Sequence, residues 1–333
     1  MKAIVTESYG SPDVLEFKEV AQPAPKPDEV QIRVHAASVN AADWHMLRAD
    51  PFLVRFGAGL RKPNFSILGG DIAGVVEAAG SSVTQFKVGD AVYGEIAGSG
   101  WGGFAEYVCA PEKALAPKPA NLSFEQAAAV PMAGLTAVQA LRDRGKVQPG
   151  QKVLIQGASG GVGTFAVQIA KALGAEVTAV CSTSNVDRMR ELGADHVIDY
   201  KSEDFTRNGQ SYDLILAVNG FRSLGDYRRA LAPTGTYVMV GGATAQMFQA
   251  MILGPLYSLG SQKKFGSVMA HASQKDLLYL KELIEAGKVT PVIDRCYPLE
   301  QVPDAMRHLE TGKARGKLAI RVADASSVTS ARP

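Results

Sequence analysis

Lys152-Val153-Leu154-Ile155-Gln156-Gly157-Ala158-Ser159-Gly160-Gly161-Val162-Gly163 is the run on which the architecture turns. Its first five residues have the composition of a short buried strand. Four glycines then fall within seven positions. Val162, Phe165, Ala166, Ile169, Ala170 and Leu173 follow at spacings of three and four, which puts them on one helical face. Gly174 closes that helix. A tight glycine turn between strand and helix aims unpaired backbone amides, and the positive end of the helix dipole, at whatever lies in front. The absence of side chains there lets a diphosphate approach the backbone. This order of elements predicts a dinucleotide-binding sheet.

Downstream of the run, strand and helix patterns alternate: 176–181, 186–192, 195–198, 213–218, 222–231 and 236–240. Alternation of this kind predicts a parallel sheet with right-handed crossovers. Upstream, residues 1 to about 120 read as short strands parted by turns, such as Gln31–His35, Gly74–Ala78 and Asp90–Gly94. Residues 127–144 read as one helix, and another starts at Ser273 with a capping sequence and ends before Gly287. The fold class is therefore α/β, a β-rich domain joined to a doubly wound parallel sheet. The expected boundaries are 1–124 for the β-rich part, 125–265 for the dinucleotide domain, 266–322 for a return to the first, and 323–333 for a loose tail.

Composition narrows the function classes. With 35 basic and 33 acidic residues among 333, no global field draws the chain to nucleic acid or to a membrane, and neither is expected as a partner. Cys109, Cys181 and Cys296 have no paired spacing, and Met1–Val5 runs straight into a strand pattern, so a cytoplasmic protein is expected. The uncharged stretch 243–262 contains Gln, Ser, Gly254 and Pro255, which fits a mobile segment near a site or subunit contact better than a membrane span.

NADP(H) is the expected cofactor. An enzyme preferring NAD usually carries an acid after the second strand to accept from the ribose hydroxyl. Here Ser182-Thr183-Ser184-Asn185 follows instead, and no carboxylate appears before Asp187. Hydroxyls can donate to a 2′-phosphate, and Arg188 either adds a charged contact or is a solvated helix charge.

Several stretches together resemble the medium-chain dehydrogenase/reductase superfamily, in its zinc-independent quinone oxidoreductase group. They are Gly74–Gly80, Val88–Gly94, Pro131–Ala137, Leu192–Tyr200 and Ala314–Lys317, and the likeness runs from Met1 to about Val322. The resemblance implies a GroES-like catalytic domain built from both chain ends and a Rossmann domain between them. It implies that Gly157, Ser159, Gly160, Gly161 and Val162 hold the pyrophosphate. Ser182 and Tyr200 would serve the adenosine phosphate end, and Val218 with Asn219 the ribose side; Thr183 and Gly241 are expected among the cofactor-binding residues. Thr136 and the region from Phe265 would lie near the nicotinamide, with Lys317 close to cofactor or active site. Two departures are Ser184, where near relatives often have arginine, and Val218-Asn219-Gly220-Phe221 in place of a valine-glycine pattern.

By the same resemblance, the places of the zinc ligands in metal-dependent relatives are taken by Asn40, Gly70, Met132 and Asp71. The first three offer neither thiolate nor imidazole, so no metal is expected. Without a Lewis acid a conjugated acceptor is the easier substrate, because it spreads the incoming charge. The expectation is hydride transfer to quinones or α,β-unsaturated carbonyls. Asn40 would orient the nicotinamide ribose or donate to the substrate oxygen. Asp43 would fix that region or cap a helix, and Trp44 would wall a flat substrate or fill the core. Rival readings are an enoyl-thioester reductase, for which Arg55, Arg61 and Lys62 offer a thin basic entrance, and a non-catalytic NADPH-binding protein. A homodimer is expected through an edge strand, either Thr236–Val240 or Phe265–Met269.

Overall fold

The computed structural model describes residues 1–220, 222–242 and 244–322. The expected tail, 323–333, lies outside the described residues, as do Phe221 and Ala243. The chain opens with β1 (Lys2–Val5), β2 (Glu16–Glu19), β3 (Glu29–Val39), α1 (Ala41–Arg48) and α2 (Arg55–Ala58). Next come β4 (Asp71–Ala79), β5 (Ala91–Glu95), β6 (Tyr107–Pro111), β7 (Leu115–Pro117), α3 (Phe124–Ala128) and α4 (Pro131–Val138). The middle holds β8 (Lys152–Gln156), α5 (Gly161–Ala172), β9 (Glu176–Cys181), α6 (Val186–Glu191) and β10 (His196–Asp199). β11 (Tyr212–Ala217), α7 (Leu224–Ala230), β12 (Leu231–Met239), α8 (Thr244–Ser258) and β13 (Lys264–Ser267) follow. The described chain closes with α9 (Gln274–Glu285), β14 (Ile293–Pro298), α10 (Val302–Glu310) and β15 (Lys317–Arg321).

These elements form two compact units. The first comprises Met1–Met132, Ala272–Glu285 and the chain from Pro291 onward; the second comprises Ala133–His271 and Ala286–Thr290. In the first unit a seven-stranded sheet has the order β14-β15-β3-β4-β5-β7, with β6 also pairing with β3. Val30, Ile32 and Val34 of β3 pack with Ile72, Val76, Val92 and Val108 in one core cluster. Ala37 and Val39, further along the same strand, join Leu47, Leu68, Phe104, Leu318 and Ile320 in another. Register shifts in the β3–β4 pairing, at Gln31/Ile32 and Val34/Ala36, let one strand serve both.

The second unit carries a six-stranded sheet of order β10-β9-β8-β11-β12-β13, every neighbouring pair parallel. Counted from β8 this is the 3-2-1-4-5-6 order of a doubly wound dinucleotide fold. The chain reverses direction of winding between β8 and β11. Ligands of such sheets sit beyond the carboxyl ends of the strands at that reversal.

Two local expectations are corrected, and one segment gains a helix. The helix expected over 127–144 is broken: α3 ends at Ala128, α4 starts at Pro131, and residues 139–144 form a wide π turn. Pro131 has no N–H to continue a helix and biases Val130 away from helical backbone. The stretch expected to be mobile contains α8, a helix that tolerates Pro255 within its last turn. Thr236–Val240 is not an edge, because β12 lies between β11 and β13; of the two expected edges, only the strand containing Phe265 is one.

Candidate active site

At the reversal point of the second unit, backbone approaches backbone. Gly157 has φ +78°, and a Cβ there would lie 2.7 Å from the Asn219 nitrogen. A Cβ on Gly163 would lie 2.3 Å from the Gly157 carbonyl oxygen and 2.6 Å from that of Ala158. Only glycine permits this packing of α5 on the turn. Gly160 differs: its backbone is extended (φ −81°, ψ 177°), and a Cβ there meets nothing nearer than 3.6 Å. The space in front of Gly160 is open.

The amides are apportioned accordingly. Those of Gly157 and Ala158 donate to the Val180 carbonyl at 3.2 and 3.1 Å, tying the turn to β9. Gly161 and Val162 are in the first turn of α5, where the helix supplies their N–H groups no partner. Ser159, Gly160, Gly161 and Val162 are all half-buried. Gly160 gives its own amide to the Gly157 carbonyl at 3.2 Å, so the amides of Gly161 and Val162 head a cradle that a Cβ at Gly160 would fill, and a diphosphate fits that chemistry.

Around this turn the structure gathers most of the expected cofactor residues. Val218 donates its amide to the Gln156 carbonyl (3.0 Å), Asn219 is exposed beside it, and a Cβ on Gly241 would lie 3.2 Å from the Val218 oxygen. At the end of β9, Asn185 Nδ2 donates to Ser182 Oγ (3.0 Å), which leaves the Ser182 hydroxyl proton available. Thr183 gives its hydroxyl to Asp199 at 2.6 Å. That hydroxyl, with the Lys201 amide, holds the Asp199 carboxyl below its ordinary range. Asp199, which sequence reasoning did not name, is brought to this strand end by Cα pairing with Cys181 across β10 and β9. Tyr200 is exposed, and Thr136 is half-buried on α4. Phe265 is a correction. Its ring is buried 5.6 Å from both Tyr237 and Tyr257, so its side chain belongs to the core rather than to a ligand.

The first unit holds a second polar cluster, at the end of β3. Asp71 is fully buried and accepts from Ser38 Oγ (2.9 Å), Asn40 Nδ2 (2.9 Å) and the Met132 amide (2.8 Å). Lys317, 4% exposed, donates to Asn40 Oδ1 and pairs with Asp71 at 3.3 Å. Lys317, expected at the cofactor or active site, is thus bound up with Asn40. The second N–H of Asn40 points to the Ser38 carbonyl at 3.4 Å. Both of its donors are engaged, so donation to a substrate oxygen is not open to Asn40; its Oδ1 can still accept from a hydroxyl.

Asp43 accepts from the Asn40 amide (2.7 Å) and from the Gly69 amide (3.0 Å), completing a capping box on α1. Burial, reinforced by nearby Asp71, pushes its carboxyl up to about 7 against those two amides. Trp44 is half-buried and donates to Glu310 Oε1 at 2.7 Å. Glu95, which the sequence reading passed over, lies directly across from Asp71 in the β4–β5 pairing. It is buried, and burial together with Asp71 pushes its carboxyl up to about 7.

Glu95 has a consequence for stability. Its pKa is raised above the ordinary 4.5, so between roughly pH 4.5 and 7 the folded chain keeps a proton that the unfolded chain releases. Stability from this residue is present below that window and is lost as pH climbs through it. The melting temperature of Glu95→Gln should fall less between pH 5 and pH 8 than that of the parent; equal falls would show that Glu95 does not titrate there.

Residues 26–120 match the family "Alcohol dehydrogenase GroES-like domain", and residues 192–320 match "Zinc-binding dehydrogenase". The chain is 35% identical to "NAD(P)H oxidoreductase RTN4IP1, mitochondrial" from Bos taurus, over 97% of this chain and 89% of that protein. It is 34% identical to "2-methylene-furan-3-one reductase" from Solanum lycopersicum, over 96% of this chain and 79% of the relative. The solved quinone oxidoreductase from Coxiella burnetii superposes with a TM-score of 0.85 at 32% identity, over 97% of this chain and 99% of that one.

A zinc ion, which the second family name implies, does not fit the residues present. The positions corresponding to its ligands do converge: a Cβ on Gly70 would touch Met132 Cε at 2.9 Å, and Asn40 binds Asp71. They supply an amide, a hydrogen and a thioether, with the Lys317 ammonium already held on the one carboxylate. Among the described residues, no group of three His, Cys, Asp or Glu is arranged to hold a metal.

Proposed function

The chain belongs to the quinone oxidoreductase group of the medium-chain dehydrogenase/reductase superfamily, and from this we propose that it reduces quinones or the C=C bond of α,β-unsaturated carbonyls with NADPH and without zinc. The observation that carries the reading is the buried Lys317–Asp71–Asn40 cluster, a fixed ammonium in place of a metal site. The names of the tomato and Coxiella relatives support the two acceptor classes.

Bound reduced nicotinamide supplies a hydride. The amides of Gly161 and Val162, with Ser159 and Gly160, hold its diphosphate. Ser182, Tyr200 and Arg188 serve the 2′-phosphate; the loop 182–185 has no carboxylate of its own, which supports NADPH over NADH, while the ionised Asp199 that Thr183 holds at the same strand end counts the other way. Asn40 Oδ1 accepts from a ribose hydroxyl and so sets the cofactor's orientation. Lys317 uses two of its three N–H groups on Asn40 and Asp71, and the third offers a positive donor to oxygen that gains charge as a conjugated acceptor is reduced. A carbonyl or quinone oxygen needs no more than that, because conjugation spreads the charge. A homodimer along the edge strand β13 is part of the reading. The exposed Ile252 and Leu256 on α8, which packs against Phe265 through Gly254, and Leu259 just after that helix support it.

NADPH oxidation with 1,4-benzoquinone, 9,10-phenanthrenequinone and a simple enone tests the proposal, with turnover expected on at least one acceptor. Asn40→Ala should lower kcat about tenfold or more, through lost orientation of the nicotinamide and of Lys317, and by a larger factor than it weakens NADPH binding. An unchanged kcat would remove Asn40 from the site.

A further inference from the structure

The near-neutral balance of the whole chain hides a local excess. Between Asp50 and Asp71 the sequence has no acid, yet it carries Arg55, Arg61 and Lys62. The same segment exposes four large apolar side chains: Phe52 (62%), Leu53 (57%), Phe56 (70%) and Leu60 (59%). Single exposed apolar residues are ordinary, but four within nine positions of one short loop are not.

The segment is built to hold them outward. The Phe52 and Phe56 rings meet edge to face at 6.3 Å. The Arg55 guanidinium lies over Phe52 (5.3 Å) and over Tyr9 (4.7 Å), whose hydroxyl donates to the Gly59 carbonyl at 2.7 Å. The Asn64 amide closes the loop onto Ala58 at 2.7 Å. Arg61 and Lys62 are exposed beside it.

We propose that the 52–62 segment docks the protein on an anionic lipid surface, with Phe52, Leu53, Phe56 and Leu60 entering the headgroup layer and Arg61 and Lys62 on lipid phosphates. Aromatic and aliphatic tips among cations are the chemistry of interfacial attachment. A second copy of the chain fits less well. A two-fold contact would set Arg55, Arg61 and Lys62 against their own equivalents with no acid in the segment to answer them. A soluble anionic ligand would engage the cations and leave the four apolar side chains in water. Attachment of this kind needs no spanning segment, and among the described residues no helix is long and apolar enough to cross a membrane. The inference stands independently of which acceptor is reduced.

Co-sedimentation of the full chain with vesicles tests it, using phosphatidylcholine alone or with about a third phosphatidylglycerol. Binding is expected only to the anionic vesicles, with release in high salt. The double variant Phe52→Ser/Phe56→Ser should lose about tenfold or more in partitioning, from the apolar area kept in water. Arg61→Ser/Lys62→Ser should lose about thirtyfold, from two interfacial cations. Both variants should keep the parent melting temperature. A parent protein that stays in solution with both vesicle types overturns the proposal, as do variants that bind like the parent. A sedimentation shift from dimer to monomer in the phenylalanine variant, without vesicles, would assign the face to a second copy instead.

Discussion

Gly160→Val should leave the chain folded and lower its affinity for NADPH by about a hundredfold or more. The valine can adopt the extended backbone Gly160 already has, and its Cβ has 3.6 Å of clearance from the nearest protein atom. Poorer capping of α5 costs only about 1 kcal/mol. The added side chain stands instead where a diphosphate must lie, separating it from the amides of Gly161 and Val162. Losing two charge-assisted hydrogen bonds, at about 1.5–3 kcal/mol each, gives the stated loss. Gly163→Val provides the contrast. There the side chain would meet the carbonyl oxygens of Gly157 and Ala158 within the turn, so folding itself should suffer. Calorimetric titration and thermal melting of both variants separate the effects. Tight NADPH binding by a folded Gly160→Val protein would contradict the assignment of the cradle.

Lys317→Met should destabilise the first unit strongly. It removes the ammonium from Asp71 while the carboxylate stays fully buried, and breaking a buried pair from one side costs about 3–5 kcal/mol. Asp71 would retain its bonds from Ser38, Asn40 and Met132, which moderates the loss without supplying a counter-charge. Lys317→Met/Asp71→Asn should recover a large part of it, because no charge is then left unpaired. Denaturant melts of the two single variants and the double variant give the coupling. A Lys317→Met protein as stable as the parent would show that the pair does not hold this cluster.

The dinucleotide sheet was readable because its signals are local. One strand, its glycine turn and the helix after it are contiguous, and the alternation that follows leaves few topologies open. The residues that the reading missed come together across strands. Glu95 meets Asp71 only through the β4–β5 register, and Ser38 meets Asp71 only after two irregularities shift the β3–β4 pairing. No periodicity in the sequence marks where such shifts occur. Asp199 is a similar case: it follows Thr183 by sixteen positions, yet parallel pairing of β10 with β9 sets it against that hydroxyl. Phe265 was misjudged for a different reason. Likeness to a family assigns a region to the cofactor but does not say whether a given side chain faces the ligand or the core. The broken helix at Pro131 was legible, since proline at that point forbids the hydrogen bond a continuous helix needs.

Reduction with NADPH deuterated at the transferable C4 position tests the central claim most directly, with an α,β-unsaturated ketone as acceptor and the product read by NMR. The account predicts one deuteron on the carbon β to the carbonyl, from the parent protein and not from Gly160→Val. Tightly bound NADPH that no quinone oxidises and that leaves no label on any enone would contradict it.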